Sequence, residues 1–573
     1  MTGNRDKKTY LNIILLTLLL TAITIVSVWN LNRKCGYYTD EGMTLYLANG
    51  HYTGAVTTVP RSDLMDFIHT FVLRDTFGET ISNIASMLNE VLHAGNYSKK
   101  GTVEWYDAAR SMLQGENCWM RGDELYEQLT TTAEKRFQYS QVLINQMLDV
   151  HPPLYYLLVH TVFSFFPERY SDYFLFFINI ICLLGTCIVL FKTVEMIWCD
   201  PAAALLAVAV YGFGQGFQSC AVFFRMYAVE TLLVMITLYY YLKMSQKDFD
   251  FERKDLFTLA FLAVLGFYTH YYYILYLFLL FCLTLCHLYR LKKPAGKYIL
   301  SQVLAGFCSL VIWPLSLYHI LFGYRGTEAF SRFRLKGLLN CLYRYASEYG
   351  RALFFGNLIV FLLFGVFTGF YMFYSLSHKE KSFHGWDLII LPAVFYSLVV
   401  ARVAPTVSSR YIMCIFPIVS LVFAGMLASV TKALSSRTKL LLFAALGISY
   451  AVFSVLLTTP DYLYPERKDA RLGISEDREK YNCLMVATEH YKGFPEALGL
   501  SAFHQVMVLD ADDIDILTEK QPDDESREIV LYLDEKTEQD PVWEALSRIP
   551  CFTDREKTLI ASDIPGFKAY LFH

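Results

Sequence analysis

Asp40 and Glu41 stand side by side just past the first membrane-length apolar run, and His151-Pro152-Pro153-Leu154-Tyr155-Tyr156 follows far downstream. Carboxylates at the lip of a bilayer need water, a cation or a substrate to face. An ionised carboxylate near neutral pH can also take a proton from a hydroxyl, so the pair is a candidate base at a membrane surface. Other polar side chains recur where apolar runs end: Arg225 and Tyr227 in Phe224-Arg225-Met226-Tyr227, His270 in Thr269-His270-Tyr271, and Arg410 with Tyr411 in Ser409-Arg410-Tyr411. Arginines in such places can grip phosphate oxygens through paired hydrogen bonds. Each has a plainer reading: Arg225 and Arg410 as side chains snorkelling to headgroups, His270 as a hydrogen-bonded interfacial histidine, and Glu230 as a paired polar residue inside the bundle.

The elements that must hold these residues are membrane helices. Of 573 residues, 54% are hydrophobic and 18% charged, too few polar groups to cover a soluble chain of this size. Apolar runs fall at about 10–29, 173–194, 202–217, 221–242, 256–269, 271–288, 298–322, 352–376, 386–403, 411–430 and 440–457. The first follows Arg5, Lys7 and Lys8, lacks a small-residue cleavage site, and reads as a retained anchor. Lys243, Lys247, Arg253 and Lys254 mark one cytoplasmic loop, Arg290, Lys292, Lys293 and Lys297 a second, Lys379 and Lys381 a third, and Lys432, Arg437 and Lys439 a fourth. These loops share a side only if 151–166 does not cross, which makes it a short interfacial or half-inserted helix on the outer surface. The expectation is about eleven spans, amino end inside and carboxyl end outside.

Two soluble regions stand out. The loop 31–171 has amphipathic stretches at about 61–93 and 102–148, expected to lie as helices on the membrane surface. Beyond 459 the pattern shifts to short strand-like runs at 483–487, 505–509 and 529–533 with helical stretches such as 540–546, a small external α/β domain. The division expected is 1–458 and 459–573. Acidic residues outnumber basic ones by about two to one in this tail, within a chain of net charge −4. No basic strip for nucleic acid is present. The loop 324–351 carries Arg325, Arg332, Arg334, Lys336, Arg344 and Arg351 against Glu328 and Glu348, an excess suited to headgroups or a lipid-linked phosphate. Of 13 cysteines none has CxxC spacing, and Cys483 with Cys551 is the pairing open to the tail. Neither GxxxxGK[ST] nor a strand-linked GxGxxG occurs, so nothing cues a nucleotide cofactor.

Thr39-Asp40-Glu41, the segment His151-Pro-Pro-Leu-Tyr-Tyr-Leu-Leu-Val-His160, Arg225-Met-Tyr227, Thr269-His270-Tyr271 and Arg410-Tyr411 together resemble the GT-C superfamily of membrane glycosyltransferases. The branch resembled is that of the dolichyl-phosphate-mannose protein mannosyltransferases and the bacterial lipid A aminoarabinose transferase, over roughly 10–430. The resemblance implies a GT-C-like polytopic α-helical fold and an inverting transfer of sugar from a polyprenyl-phosphate donor to a hydroxyl on a protein, lipid or cell-surface glycan. It implies Asp40 as base and Glu41 as orienting partner. Arg225, Arg410 and Tyr411, with Arg332 and Arg334 added on charge alone, bind the donor phosphate, and His151, Tyr227 and His270 line the site. The setting implied is a bacterial plasma membrane with an extracytoplasmic site. The scheme needs no metal, although Asp40, Glu41, His151 and His270 are all ligand-capable and leave a divalent ion open. The first loop is longer than in many relatives, so the acceptor does not carry over. A lipid flippase or transporter is the competing class; it predicts charges deep in the bundle and paired repeats with broken helices.

Overall fold

The computed structural model describes residues 2–60, 66, 68–93, 115–332, 337–377, 385–474, 477–553 and 555–573. Arg334, Lys336, Lys379, Lys381 and all of 94–114 lie outside the described residues. The chain folds as two compact units, Met1–Asn32 with Phe176–Asp461, and Arg33–Leu175 with Tyr462–His573.

The first unit is helical. Among the described residues six helices are long and apolar enough to cross a membrane: Tyr10–Leu31, Asp172–Trp198, Tyr273–Arg290, Trp386–Val403, Ser409–Val430 and Ser436–Leu457. Counting each bent pair as one span raises this to nine. The pairs are Pro201–Phe213 with Gln215–Val222, bent by 55°, Gly296–Ile312 with Leu315–Ala329, bent by 97°, and Leu338–Leu353 with Leu358–Phe373, bent by 98°. The apolar runs therefore overstate the number of straight spans. The run at 221–242 starts its helix only at Tyr227, and the run at 256–269 forms a helix of 17 residues, Arg253–Thr269.

Backbone breaks inside an apolar bundle need substitute hydrogen bonds, and side chains provide them here. At the Gly214 break, Gln218 Nε2 donates to the Gly212 carbonyl at 2.7 Å, while its Oε1 accepts from Ser27 Oγ (3.0 Å) and Asn30 Nδ2 (3.1 Å) of the first helix. At the Phe223–Met226 break, Asn179 Nδ2 donates to the Phe223 carbonyl at 2.7 Å. Arg225 sits in this held, non-helical stretch.

The second unit carries the sheets. Strands β1 (Thr58–Pro60) and β2 (Gly115–Asn117) pair antiparallel. A six-stranded sheet runs β3 (Met120–Arg121), β5 (Gln505–Asp510), β4 (Asn482–Ala487), β6 (Ile529–Asp534), β8 (Phe567–Phe572), β7 (Lys557–Ile560). Here β4 is parallel to β5 and β6, and the remaining pairs are antiparallel. Fully apolar runs such as Leu484-Met485-Val486 suit a sheet buried on both faces, and all six residues of β4 and of β6 are buried. Leu484, Val486, Met507, Leu509, Leu531 and Leu533, alternating along three strands, form one core with Val542 and Leu546 of the Gln539–Leu546 helix. Cys551 joins this core whereas Cys483 belongs to the alternate register of β4. Both are free thiols, so the pairing left open for them does not form.

At the carboxyl ends of the parallel strands, Asp534 is nearly sealed from solvent. Its Oδ2 accepts from Thr488 N (3.1 Å), Thr488 Oγ1 (2.7 Å) and Lys492 Nζ, and its Oδ1 from Lys536 N (3.1 Å). Burial alone would raise this carboxyl; the bonds from Lys492, Thr488 and Lys536 outweigh it and hold the group at about 2. Its folded value lies below its unfolded value, so its contribution is complete above about pH 4 and disappears as pH falls toward about 2. Pulse proteolysis by pepsin across that window should show a loss on the order of 2 kcal/mol in the wild type and a flattened acid limb in Asp534→Asn.

Candidate functional site

Helix Thr39–Asn49 holds the acidic pair in its first turn, where the helix dipole favours anionic side chains. The two carboxylates have different surroundings. Glu41 is 1% exposed and accepts from Lys34 Nζ at 3.0 and 3.1 Å and from Tyr38 N at 2.7 Å. Lys34 is equally buried; its ammonium also donates to the Tyr462 carbonyl at 2.8 Å and lies 5.4 Å from the Tyr37 ring and 5.8 Å from that of Tyr464. Tyr37 in turn donates to Asp172 at 2.7 Å, and burial, with the Asp172 charge, pushes its phenol far up. Asp40 is half-buried.

The rest of this helix is clamped. A Cβ on Gly42 would lie 2.1 Å from the Phe494 carbonyl oxygen, so the absence of a side chain allows the helix to pack against the His490–Glu496 segment. At the other end, Asn145 Nδ2 lies 2.8–3.1 Å from the carbonyls of Tyr46, Leu47 and Gly50, and its two N–H groups are shared among these acceptors at the helix's end. Pro152 and Pro153 lead into helix Leu154–Phe165, which buries Tyr155, Tyr156, Val159 and His160. His160 Nδ1 meets Asn49 Oδ1 at 3.3 Å, and burial lowers this imidazole below its ordinary value. His151 is engaged at once by Asp149, Nδ1 to Oδ2 at 2.6 Å, with its side chain 28% exposed. The Pro-Pro segment thus supports the acid-bearing helix from beneath.

In the first unit a second cluster gathers four of the expected residues. Arg410 donates from Nη2 to Tyr411 Oη at 2.9 Å, with its guanidinium 4.8 Å from the Tyr411 ring centre. Tyr227 stands edge-on to both His270 (5.6 Å) and Tyr411 (6.3 Å). His270 Nδ1 meets Glu230 Oε1 at 3.2 Å, which realises the paired-residue reading of Glu230. Tyr396 Oη donates to the Tyr411 carbonyl at 2.9 Å. All of these side chains are buried.

Arg332 is placed differently. It donates to the Ala404 carbonyl at 3.2 Å, to the Pro405 carbonyl, and to Glu328 at 2.7 Å. Arg325 also pairs with Glu328, and Arg351 with Glu348 and Asp461, so internal partners take up much of the basic excess in this loop. Sequence reasoning missed Lys34 and Tyr396. Lys34 could have been found as a lysine seven residues before an acid whose burial would demand a counter-charge; Tyr396 is one tyrosine among 41 and has no such signal.

The ligand-capable set does not assemble as a metal centre. Glu41 is committed to Lys34, His151 to Asp149 and His270 to Glu230, and among the described residues no three His, Cys, Asp or Glu side chains converge. What the geometry offers is a half-buried carboxylate beside a sealed one, and separately an arginine, a histidine and tyrosines held in fixed orientation.

No family model and no curated protein sequence matches the chain. Among the solved structures similar to it are two of ArnT from Cupriavidus metallidurans. The form bound to undecaprenyl phosphate has a TM-score of 0.44 at 11% identity, over 86% of this chain and 98% of that one. The apo form has a TM-score of 0.39 at 12% identity, over 74% and 87%. Both scores leave the chain's chemistry to be argued from its own residues.

Proposed function

We propose that the chain is an inverting glycosyltransferase that moves a sugar from a polyprenyl-phosphate donor to an acceptor hydroxyl at the extracytoplasmic face of a bacterial plasma membrane. The observation that carries this reading is the division of labour in the acidic pair. Glu41 is sealed against Lys34 and Tyr38, whereas Asp40 beside it is half-buried, and we assign Asp40 as the carboxylate that meets the substrate. Asp40 takes the proton of the acceptor hydroxyl while its oxygen attacks the anomeric carbon. The bond from that carbon to the phosphate oxygen breaks, the electron pair stays with the phosphate, and polyprenyl phosphate departs with one more negative charge. Arg225 and Arg410 are assigned to that charge. A single displacement inverts the anomeric centre. The eleven-span arrangement with the amino end inside belongs to this proposal and is supported by the basic loops.

The test is transfer by the purified protein from polyprenyl-phosphate sugars, with the product's anomeric configuration read by NMR. Retention, or no transfer from any such donor, would sink the reading. Arg225→Lys and Arg410→Lys keep the charge but lose the planar fork. Each is expected to slow single-turnover transfer roughly tenfold to hundredfold, the effect of about 1.5–3 kcal/mol. Arg332→Lys should be tolerated, since Arg332 is spent on Glu328 and backbone carbonyls. Unchanged rate and donor affinity at both Arg225 and Arg410 would remove the phosphate clamp. Two observations favour the transporter reading, the three bent helix pairs and the buried Glu230–His270 pair. Movement of the sugar-lipid across liposomes without any acceptor would decide for it.

A further inference from the structure

Glu230 is 1% exposed, one turn into the apolar helix Tyr227–Ser245, where an ionisable group is costly unless it has a partner and a use. Its Oε1 meets His270 Nδ1 at 3.2 Å and lies 3.4 Å from Tyr396 Oη. The tyrosine has one proton, and the Tyr411 carbonyl at 2.9 Å is the closer acceptor. Proton accounting therefore separates two arms: Glu230 orients the His270 ring, and Tyr396 anchors the backbone of the Ser409–Ile415 turn that carries Arg410. Tyr272 stands edge-on to His270 at 4.9 Å. A carboxylate that fixes one imidazole nitrogen defines what the other can do, which is the orienting logic of catalytic dyads.

Resting on the donor reading above, we infer that Glu230 is a positioning residue that acts through His270, and that the Nε2 of His270 meets a phosphate oxygen of the donor. Glu230 itself touches no substrate. By holding Nδ1 it turns the ring and leaves Nε2 as the bonding atom. In the doubly protonated ring Nδ1–H goes to Glu230 and Nε2–H to the phosphate oxygen, so the phosphate finds a preset donor beside the Arg410–Tyr411 corner, with no ring rotation to freeze out on binding.

The experiment is a double-mutant cycle on the full-length protein in detergent, with undecaprenyl phosphate as the probe. Glu230→Gln is nearly isosteric and keeps an oxygen for the ring, so the fold survives while the charge-assisted bond is lost. It should weaken undecaprenyl phosphate roughly tenfold, and it should have no further effect in a His270→Ala background. A merely structural Glu230 would lower the melting temperature in both backgrounds without that coupling. Equal weakening in the two backgrounds, or none in either, overturns the inference while leaving the glycosyltransferase reading in place. If the wild type fails to bind undecaprenyl phosphate at all, the donor reading falls and takes the inference with it.

Discussion

An Asp40→Asn protein is expected to bind polyprenyl phosphate as the wild type does and to transfer sugar roughly 10²–10⁴-fold more slowly, the usual contribution of a positioned general base. The amide keeps the shape of the side chain and the first turn of the Thr39–Asn49 helix, so the loss should fall on the chemical step alone. Single-turnover transfer with donor affinity measured separately makes the comparison. Glu41→Gln should behave differently: it leaves the ammonium of Lys34 buried against a neutral amide, so reduced yield and a lower melting temperature should accompany any loss of rate. An Asp40→Asn protein as fast as wild type would reject Asp40 as the base.

Lys34→Met is expected to destabilise the protein by about 3–5 kcal/mol, because it strands the Glu41 carboxylate in a site with 1% exposure. The size of the effect comes from the uncompensated charge, more than from the lost attraction. Lys34→Met combined with Glu41→Leu should therefore recover most of the stability, since an apolar pair of similar volume often replaces a buried ion pair without cost. Denaturant unfolding of the two variants in one detergent is the measurement. A single Lys34→Met change within about 1 kcal/mol of wild type would show that water reaches Glu41 and that the pair is not sealed.

How far the sequence revealed this depended on which physical signal each element leaves. Strands β4, β5 and β6 were readable because short apolar runs bounded by polar turns are what a sheet buried on both faces requires. Strands β7 and β8 were not: Lys557-Thr558-Leu559-Ile560 and Phe567-Lys568-Ala569-Tyr570 mix polar and apolar residues without announcing a partner. Helix breaks at Gly214 and at Phe223–Met226 were hidden because hydropathy adds up side chains and takes no account of the backbone, while the carbonyls freed there are met by Gln218 and Asn179 from elsewhere. Asp40 was conspicuous as an acid beside a membrane run. Its support was not, since Lys34 near the end of a span reads first as a topology signal. Arg332 looked like a phosphate ligand on charge alone, and only contacts distant in sequence, at Ala404 and Pro405, show it otherwise engaged.

The seat of Asp40 also bears on how the molecule is made. Its helix packs through Gly42 onto Phe494, and β3 of the same early segment adds to β5 of the tail. Residues 33–175 therefore leave the ribosome long before the chain that completes their unit, with roughly 300 residues translated in between. At about 5–20 residues per second that is a wait of roughly 15–60 s. During that interval the loop would display a half-finished core, open to proteases and chaperones. A premature stop at Tyr462 would leave every membrane helix of the first unit intact and the helix bearing Asp40 without its seat. Loss of the tail should thus register as loss of the proposed activity, because the segment that completes the unit around Asp40 is missing.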